Sequence, residues 1–379
     1  MKIAIVDIAG TVDEYSLYLS HSLTKLKDDG DEVTLLCQTS QRDDGVKLIR
    51  LFSLIPARFK RSLSIWKRAT KAFETILNYI RVVLYVCIKR VDVVHFQWFP
   101  FLELGNVEIY VLMAIRRLSP KTKIVYTCHN IYPHNSSETK KKEYKKRFLK
   151  IIPYIDKFVV HTFTTKEDIH KEYYIDTERI SVQYHGIFYP REKYDEERPQ
   201  PDKTKILMIG MQTPYKGTDI LVHAIDHLPE VIKQRIDVEI VGRLGKEYLD
   251  TFEDVAVKNH INIHPERISN KELYEKISAA DYLIYPYRQI SQSGALLLGL
   301  YFKKIIVASD LPQFIETLCG FKQEWFFKSE SPESLATLLI DLLTGKIASS
   351  EELEITEKLK EKYSWDTVAK STLSMYRNL

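Results

Sequence analysis

A lysine at the end of a glycine-bearing loop is the strongest candidate for chemistry in this sequence. The stretch 203–217, KTKILMIGMQTPYKG, reads as an apolar strand, then Gly210, then a polar loop that ends in Lys216 and Gly217, and an amphipathic run follows it. The free N–H groups and the positive dipole end at such a strand–loop–helix junction favour phosphate binding, and Lys216 would add a full positive charge. An ordinary turn with a solvated lysine explains the stretch equally well by itself, because the spacing is not that of G-x-x-x-x-G-K-[ST].

A second loop of the same kind occurs at 285–300, YPYRQISQSGALLLGL, where a strand gives way to a polar loop and an apolar helix. The polar residues of this loop, together with the glycine that opens the helix, are Arg288, Ser291, Gln292, Ser293 and Gly294. Hydroxyl groups, an arginine and a helix N-terminus are all suited to phosphate oxygens. Two such loops in one half of the chain predict a nucleotide diphosphate bound by the C-terminal domain.

Two candidate positions in the first half also follow predicted strands. A loop through Gly10 and Asp13 follows the apolar run 2–6, and the run CHNIYPHN at 128–135 follows the strand 123–127. Ligands of open parallel sheets bind beyond the carboxyl ends of the strands, so His129 is placed to face a ligand. The alternative for His129 is a purely structural histidine.

No metal site is predicted. No carboxylate or cysteine joins the histidines of 128–135 at ligand spacing. A literal D-x-D occurs at Asp29-Gly30-Asp31, but it follows a predicted helix that Gly30 ends, so we interpret it as a turn.

The elements that must position these residues alternate as strand and helix, which predicts an α/β fold with parallel sheets. The first domain, 1–190, has predicted strands at 2–6, 32–37, 91–96, 123–127, 156–161 and 180–184. A charged, proline-containing linker at 191–203 precedes a second domain, 204–365, with strands at 206–210, 237–242, 261–264, 281–287 and 304–308. The last helix, 366–379, is expected to pack back on the first domain.

Composition agrees with two globular domains. The chain has 379 residues, of which 45% are hydrophobic and 28% charged. Its four cysteines are scattered without a C-x-x-C pair, which suits a reducing cytoplasm rather than a disulfide framework or a zinc site. The opening run MKIAIVDIAG is typical of a buried strand rather than a signal peptide, and no apolar run reaches the ~18–20 residues that a membrane span needs.

Positive charge is concentrated in the first half, in two segments. Residues 58–90 hold nine basic residues and one acidic residue with aromatic residues between them, and 140–150 hold seven basic residues and one acidic residue. Such segments can lie on an anionic membrane surface, although solvated helix faces are an equally good explanation. Nucleic acid is a weaker interpretation, because no recognised binding motif accompanies the charge.

With these motifs in place, the chain resembles the GT-B glycosyltransferases, most closely the family 4 enzymes that build bacterial surface polysaccharides. The resemblance runs over nearly the whole chain, and its markers are GDEVTLL (30–36), VDVVHF (91–96), YTCHN (126–130), IDKFVVHTFTTKEDI (155–169), MIGMQTPYKG (208–217), ADYLIYPYR (280–288) with the SQSG loop, IVASD (306–310) and YSWDTVA (363–369). It implies two doubly wound, Rossmann-like domains that face a cleft.

The resemblance also implies roles for the candidate residues. Lys216 matches the family's diphosphate-binding lysine, with Gly210 and Gly217 in its loop, and the segment 291–294 matches the one whose N–H groups hold the diphosphate. His129 matches the histidine that contacts the donor sugar. The loop from Gly10 to Asp13 would lie beside the donor phosphates and the acceptor.

The implied reaction uses a UDP- or GDP-sugar as a substrate and needs no metal or cofactor. In the retaining pattern of family 4, a donor phosphate oxygen takes the proton of the acceptor. In an inverting enzyme a protein base is needed, and Asp13 or Glu14 would be the first candidates.

The sequence departs from the family at three positions. Met211 stands where an arginine is usual, and the usual glutamate pair falls near Ile290 and Leu298, neither of which is acidic. Arg288 could supply the missing positive charge.

The resulting expectation is a hexosyltransferase that extends a lipid-linked oligosaccharide in capsule, exopolysaccharide or O-antigen synthesis. It would work in the cytoplasm, attached peripherally to the inner membrane surface through 58–90 and 140–150. The alternatives are an inactive GT-B-like partner subunit of a transferase, which the absent glutamates favour, and a sugar-nucleotide epimerase, which would need no acceptor.

Overall fold

The chain folds into two compact units. The computed structural model describes residues 1–38, 45–53, 65–133, 136–190, 203–347 and 350–379. Unit 1 consists of Met1–Gly186 together with Ser364–Leu379, and unit 2 is Ile187–Tyr363. The sequence placed the corresponding boundaries at 190 and 365.

Unit 1 contains a seven-stranded sheet in the order β3-β2-β1-β4-β5-β6-β7, and every neighbouring pair is parallel. Its strands are β1 (Lys2–Asp7), β2 (Glu32–Cys37), β3 (Lys47–Arg50), β4 (Val93–Phe96), β5 (Lys123–Thr127), β6 (Lys157–Val160) and β7 (Ile180–Val182). Strands buried on both faces are expected to be continuously apolar. The six strands predicted for this half are confirmed, whereas the edge strand β3 was missed.

In the described part of unit 1, five helices from the first 186 residues and one from the C-terminus accompany this sheet. They are α1 (Asp13–Leu26), α2 (Ile65–Lys89), α3 (Val107–Leu118), α4 (Glu138–Ile151) and α5 (Phe163–Tyr173), with α15 (Trp365–Arg377). The basic segment 58–90 is helical over α2, and residues 58–64 lie outside the described residues. The first helix ends at Leu26, earlier than the expected end near Asp29.

Unit 2 has a six-stranded parallel sheet in the order β10-β9-β8-β11-β12-β13. Its strands are β8 (Thr204–Ile209), β9 (Ile236–Val241), β10 (Asn262–His264), β11 (Tyr282–Tyr285), β12 (Ile305–Ser309) and β13 (Phe326–Phe327). Its helices are α6 (Thr218–Asp226), α7 (Glu230–Lys233), α8 (Lys246–Leu249), α9 (Glu253–Lys258), α10 (Asn270–Ala279), α11 (Gly294–Tyr301), α12 (Pro312–Thr317), α13 (Pro332–Leu343) and α14 (Ser350–Lys362). The expected strands are confirmed, and the two-residue edge strand β13 was missed.

In both sheets the chain first adds strands on one side of the first strand and then crosses over to add the rest on its other side. β1 lies between β2 and β4, and β8 lies between β9 and β11. In open α/β sheets, ligands bind outside the carboxyl ends of the strands at such a switch point. The loops that follow β1, β4, β8 and β11 are therefore the parts of each unit to inspect for chemistry.

The C-terminal helix α15 packs against α1 within unit 1. The Trp365 ring stacks on Tyr18 with the centroids 5.5 Å apart, and Lys25 pairs with Asp366 at 3.0 Å. Gly186 makes this packing possible, because a Cβ atom there would lie 2.3 Å from the Trp365 ring. Among the helices in the described ranges, none combines the length and the hydropathy of a membrane span.

We predict that Gly186→Ala destabilises unit 1 by about 1–3 kcal/mol, because the added methyl group must displace the buried Trp365 ring. Chemical denaturation followed by tryptophan fluorescence measures the loss. The matched control is Gly105→Ala in the same unit, where a Cβ atom meets nothing within 4 Å. Equal stability of the two variants would contradict the importance of this contact.

Candidate functional site

The two phosphate-type loops of unit 2 meet at its switch point. They follow β8 and β11, which are neighbours in the sheet. The N–H of Arg288 donates to the carbonyl of Tyr215 at 2.8 Å, which joins the loops directly. Gly217 lies so close to the second loop that a Cβ atom would be 1.9 Å from the carbonyl oxygen of Pro286, and its φ of +70° also favours glycine. The adjacency expected from the sequence is thus present in the fold.

Lys216 points its ammonium group back over the start of its own loop. Its Nζ atom is 2.8 Å from the position that a Cβ atom of Gly210 would take, and 5.0 Å from the centroid of the buried Tyr287 ring. Burial favours the neutral amine, but Tyr287 and Tyr215 outweigh it, so the pKa of Lys216 is raised and the side chain carries its charge. Among the described residues, the groups that act on the pKa of Lys216 are these two tyrosines, and no carboxylate is among them.

Arg288, in contrast, is engaged by a carboxylate of its own unit. Its guanidinium donates to both oxygens of Asp219, at 2.9 and 2.6 Å, and to the carbonyl of Pro214 at 2.5 Å. Burial raises the pKa of Asp219, but the Arg288 and Tyr248 hydrogen bonds outweigh this and hold it below its usual value. Arg288 therefore connects α6 to the β11 loop, and its charge is balanced. Its contact with a donor diphosphate stays a prediction.

The segment 291–294 forms the N-terminus of α11. The hydroxyl of Ser293 accepts from the N–H of Leu296 at 3.2 Å and so caps the helix. The side-chain oxygen of Gln292 accepts from the N–H of Ser293, while its buried Nε2 has no hydrogen-bond partner among the described residues. Ser291 is partly buried next to it, and Gly294 packs near the Phe188 ring. A helix of eight residues thus begins where the diphosphate is expected.

In unit 1, the loop after β1 is organised by a residue that the sequence reasoning did not single out. The buried carboxylate of Asp7 accepts from the N–H groups of Thr11 and Val12 at 3.1 and 3.0 Å. Burial, and then the neighbouring Asp13, raise the pKa of Asp7 to about 7. Gly10 has φ +61° and lies against the Asp13 carboxylate. The structure therefore brings Gly10 and Asp13 together at the start of α1.

His129 follows β5 and belongs to a buried ring cluster. Its Nδ1 lies 3.1 Å from Nε2 of His161, and its ring forms a T-shaped contact with the Tyr15 ring, with the centroids 5.0 Å apart and the planes at 88°. Burial is the largest of the causes that hold the pKa of His129 well below its usual value, so the ring is neutral near pH 7. The neighbouring His134 and Asn135 lie outside the described residues.

Sequence reasoning missed three residues at the carboxyl edge of this sheet. Asp7 ends β1, His161 follows β6, and Gln97 follows β4 with a buried side-chain amide that has no hydrogen-bond partner in the described residues. A polar residue that directly follows a buried apolar strand is the signal that could have found them.

No three His, Cys, Asp or Glu side chains converge as a metal site within the ranges that the structure describes. Gly30, at the centre of the D-x-D, has φ +90°, and the N–H of Asp31 donates to the carbonyl of Asp28. The interpretation of this triplet as a turn is confirmed. That catalysis needs no metal stays a prediction.

Comparison with known protein families covers nearly the whole chain. The model "Glycosyltransferase Family 4" matches residues 15–188, and "Glycosyl transferases group 1" matches residues 190–362. The chain belongs to the GT-B glycosyltransferases of the family 4 type. The resemblance inferred from the sequence motifs and the two Rossmann-like domains are thereby confirmed.

Individual relatives of this GT-B chain are distant. It is 21% identical to the GDP-mannose:glycolipid 4-beta-D-mannosyltransferase of Xanthomonas campestris pv. campestris over 58% of this chain and 62% of that protein. It is 25% identical to the lipopolysaccharide glucosyltransferase WaaG of Escherichia coli K12 over 41% of this chain and 42% of that protein. The chain thus matches less than two thirds of the length of either relative.

A solved structure supports the fold. Anabaena Alr3699/HepE in complex with UDP and glucose superposes on this chain with a TM-score of 0.70 over 100% of both chains, at 11% sequence identity.

We predict that Asp219→Ala and Arg288→Ala each lower the free energy of unfolding by about 1–3 kcal/mol, and that the double variant loses less than their sum, because the two side chains form one bidentate pair. Urea denaturation of the four proteins measures this coupling. Additive losses would contradict a structural pair. Nucleotide titration then separates the roles: if Arg288 also binds phosphate, Arg288→Ala weakens binding and Asp219→Ala does not.

Proposed function

We propose that this chain transfers a hexose from a nucleoside-diphosphate sugar to a glycolipid or lipid-linked oligosaccharide. The observation that carries the proposal is the charged Lys216 at the switch point of unit 2, close to the ring of Tyr287 and without a carboxylate partner in the described residues. An ammonium in this position is suited to a diphosphate. The relatives support the substrate classes, because one is named for GDP-mannose and glycolipid and the other for lipopolysaccharide.

The chemistry proposed for this site is stabilisation of the leaving diphosphate. Negative charge grows on the leaving oxygen as the glycosidic bond breaks, and fixed donors that face this charge lower the barrier. Lys216 and the N–H groups at the start of α11 are the donors that we assign to this role, with no metal. For a retaining enzyme, a donor phosphate oxygen takes the acceptor proton. For an inverting enzyme, Asp13 or Glu14 takes it.

We predict that a nucleotide sugar no longer raises the thermal unfolding midpoint of the Lys216→Ala variant. We also predict that the rate of sugar transfer falls at least 100-fold, because the charge on the leaving diphosphate loses its ammonium partner. Lys216→Arg should also lower turnover, since the larger guanidinium cannot fit the space beside Gly210. The measurements are the rise in thermal midpoint with UDP- and GDP-sugars, and nucleotide release with and without a lipid-linked acceptor. The control is Lys246→Gln, an exposed lysine of the same unit that pairs with Asp250.

The outcomes separate the alternatives. Binding of no nucleotide sugar would contradict the proposal. Binding that survives Lys216→Ala with no transfer or donor hydrolysis would favour an inactive partner subunit of a transferase. Conversion of the sugar nucleotide without acceptor and without nucleotide release would identify an epimerase. Nucleotide release that requires acceptor and Lys216 supports the transferase.

We further propose that the enzyme works at the cytoplasmic membrane face in surface-polysaccharide synthesis, and that α2 with α3 forms the membrane-contacting surface. The exposed apolar side chains of α2 recur every three or four residues and so lie on one face: Phe73, Ile76, Ile80, Leu84 and Ile88. Ile76, Ile80 and Leu84 line a groove of about 300 Å³, whose other side is formed by Val107 and Tyr110 of α3. The exposed cations Arg81, Lys89 and Arg117 complement anionic lipid.

The second basic segment, 140–150, lies on α4. Three of its lysines form ion pairs: Lys141 with Glu138, Lys146 with Glu143, and Lys145 with Glu172. Exposed pairs of this kind cancel much of each other's field at a distance. We therefore assign the larger share of membrane attraction to the apolar face of α2.

We predict that Ile80→Asp with Leu84→Asp reduces flotation with vesicles of phosphatidylglycerol and phosphatidylethanolamine by at least tenfold, because both side chains are about half exposed and apolar. The control is Val231→Asp with Val257→Asp, two apolar residues of unit 2 that are at least as exposed as Ile80 and Leu84. Flotation that is unchanged by the α2 pair, or lost equally in the control, would contradict this surface. A shift from dimer to monomer without lipid would assign the face to a second copy of the chain.

A further inference from the structure

A chain of hydrogen bonds crosses the carboxyl edge of three neighbouring strands in unit 1. His129 follows β5, His161 follows β6, and Gln183 follows β7. His129 Nδ1 lies 3.1 Å from His161 Nε2, and His161 Nδ1 lies 2.9 Å from the carbonyl oxygen of Gln183. Because β5, β6 and β7 pair in parallel, these three residues are held side by side by the sheet itself.

The Gln183 carbonyl determines which atoms donate and which accept in this series of hydrogen bonds. A backbone carbonyl can only accept, so Nδ1 of His161 must carry the hydrogen that it donates to Gln183. A neutral His161 then has a bare lone pair at Nε2. The partner at 3.1 Å, His129 Nδ1, must therefore be the donor. A neutral His129 with its hydrogen on Nδ1 has a bare lone pair on Nε2.

The surroundings keep both rings neutral. His161 is buried, which lowers its pKa to about 4, and burial is also the main cause that lowers the pKa of His129. Two further buried histidines, His95 and His185, lie in the same cluster, so a positive charge on one ring would repel a charge on another. Nε2 of His129 is buried and has no hydrogen-bond partner among the described residues.

We propose that His161 is a positioning residue that fixes His129 in the Nδ1–H form, so that its Nε2 accepts a hydrogen bond from a sugar hydroxyl group. This inference rests on the proposed transferase function, and it specifies that His129 is the hydrogen-bond acceptor in its contact with the sugar. A bare imidazole nitrogen attracts an O–H donor and repels phosphate oxygens, which also only accept. His129 therefore selects a hydroxyl of the substrate, and the phosphates must find their donors elsewhere.

The first test reads the tautomer directly and needs no enzymatic activity. Protein labelled with ring-¹⁵N histidine is compared by two-bond ¹H–¹⁵N correlation at pH 7.5, and the signals of His129 are identified by their loss in His129→Gln. We expect the Nδ1–H pattern in the wild type and in His161→Gln, whose side-chain oxygen still accepts while its amide still donates. We expect that pattern to be lost in His161→Leu. An Nε2–H pattern in the wild type, or an unchanged pattern in His161→Leu, would overturn the proposal.

The second test asks whether the tautomer matters for sugar. We expect His161→Leu to lower kcat/KM for the donor sugar about tenfold, the effect of one misdirected hydrogen bond, and His161→Gln to restore it to within a few-fold. Binding of the free nucleoside diphosphate, which lacks the sugar hydroxyls, should be unchanged. His95→Gln is the control for loss of a buried histidine, because His95 bonds Tyr376 and Thr127 instead. Equal losses for sugar donor and free nucleotide, or no rescue by glutamine, would show a merely structural role.

The two tests also separate this inference from the function on which it rests. If the tautomer is as expected but no sugar donor binds, the proposed function fails and the positioning of His129 stands. If transfer occurs and the tautomer is wrong, the inference fails by itself.

Discussion

The close contact between Gly217 and Pro286 is the constraint on which the site of unit 2 depends. The two loops can approach this closely only because residue 217 has no side chain and tolerates a φ of +70°. The approach lets the Arg288 N–H reach the Tyr215 carbonyl, which holds the turn that carries Lys216. Gly242 allows a similar close approach, because a Cβ atom there would lie 2.1 Å from the carbonyl oxygen of Gly210. The glycines thus serve to bring the backbones of neighbouring strand ends together.

This packing also decides which positive charge is free to act. Arg288 was expected to replace the positive charge that is missing at Met211, but its guanidinium is bound in a bidentate pair to Asp219. A paired arginine contributes little net field to a nearby anion. The ammonium group of Lys216 lies over the Tyr287 ring and not beside a carboxylate, so its positive charge is available to an anion bound nearby. Met211 carries no charge, so among the described residues of the two loops after β8 and β11 the cation that we assign to the diphosphate is Lys216.

The sequence predicted the parts of this architecture that depend on local pattern. Buried parallel strands are continuously apolar, so eleven strands in two sheets were found from residue order alone. The missed strands, β3 and β13, are short edge strands with weak patterns. Pairings between distant residues were not predictable. Asp219 and Arg288 are 69 positions apart, and nothing local indicates that one neutralises the other. The role of His161 depends on the order of β5, β6 and β7, which only the sheet reveals.

The two units differ in the charge of their buried titratable groups. Unit 2 keeps a lysine charged despite burial, because tyrosine oxygens and ring faces surround it. Unit 1 removes charge from its edge: burial holds the pKa of His95, His161 and His185 low and raises that of Asp7 to about 7. Burial and Asp13 raise the pKa of Asp7 to about 7, and a proton on Asp7 reduces the repulsion between its carboxyl group and that of Asp13. Neutral imidazoles at this edge are suited to hydroxyl groups, and they offer no positive charge to a phosphate. This division of charge is the basis on which we propose a diphosphate site in unit 2 and, separately, a sugar hydroxyl as the partner of His129 in unit 1.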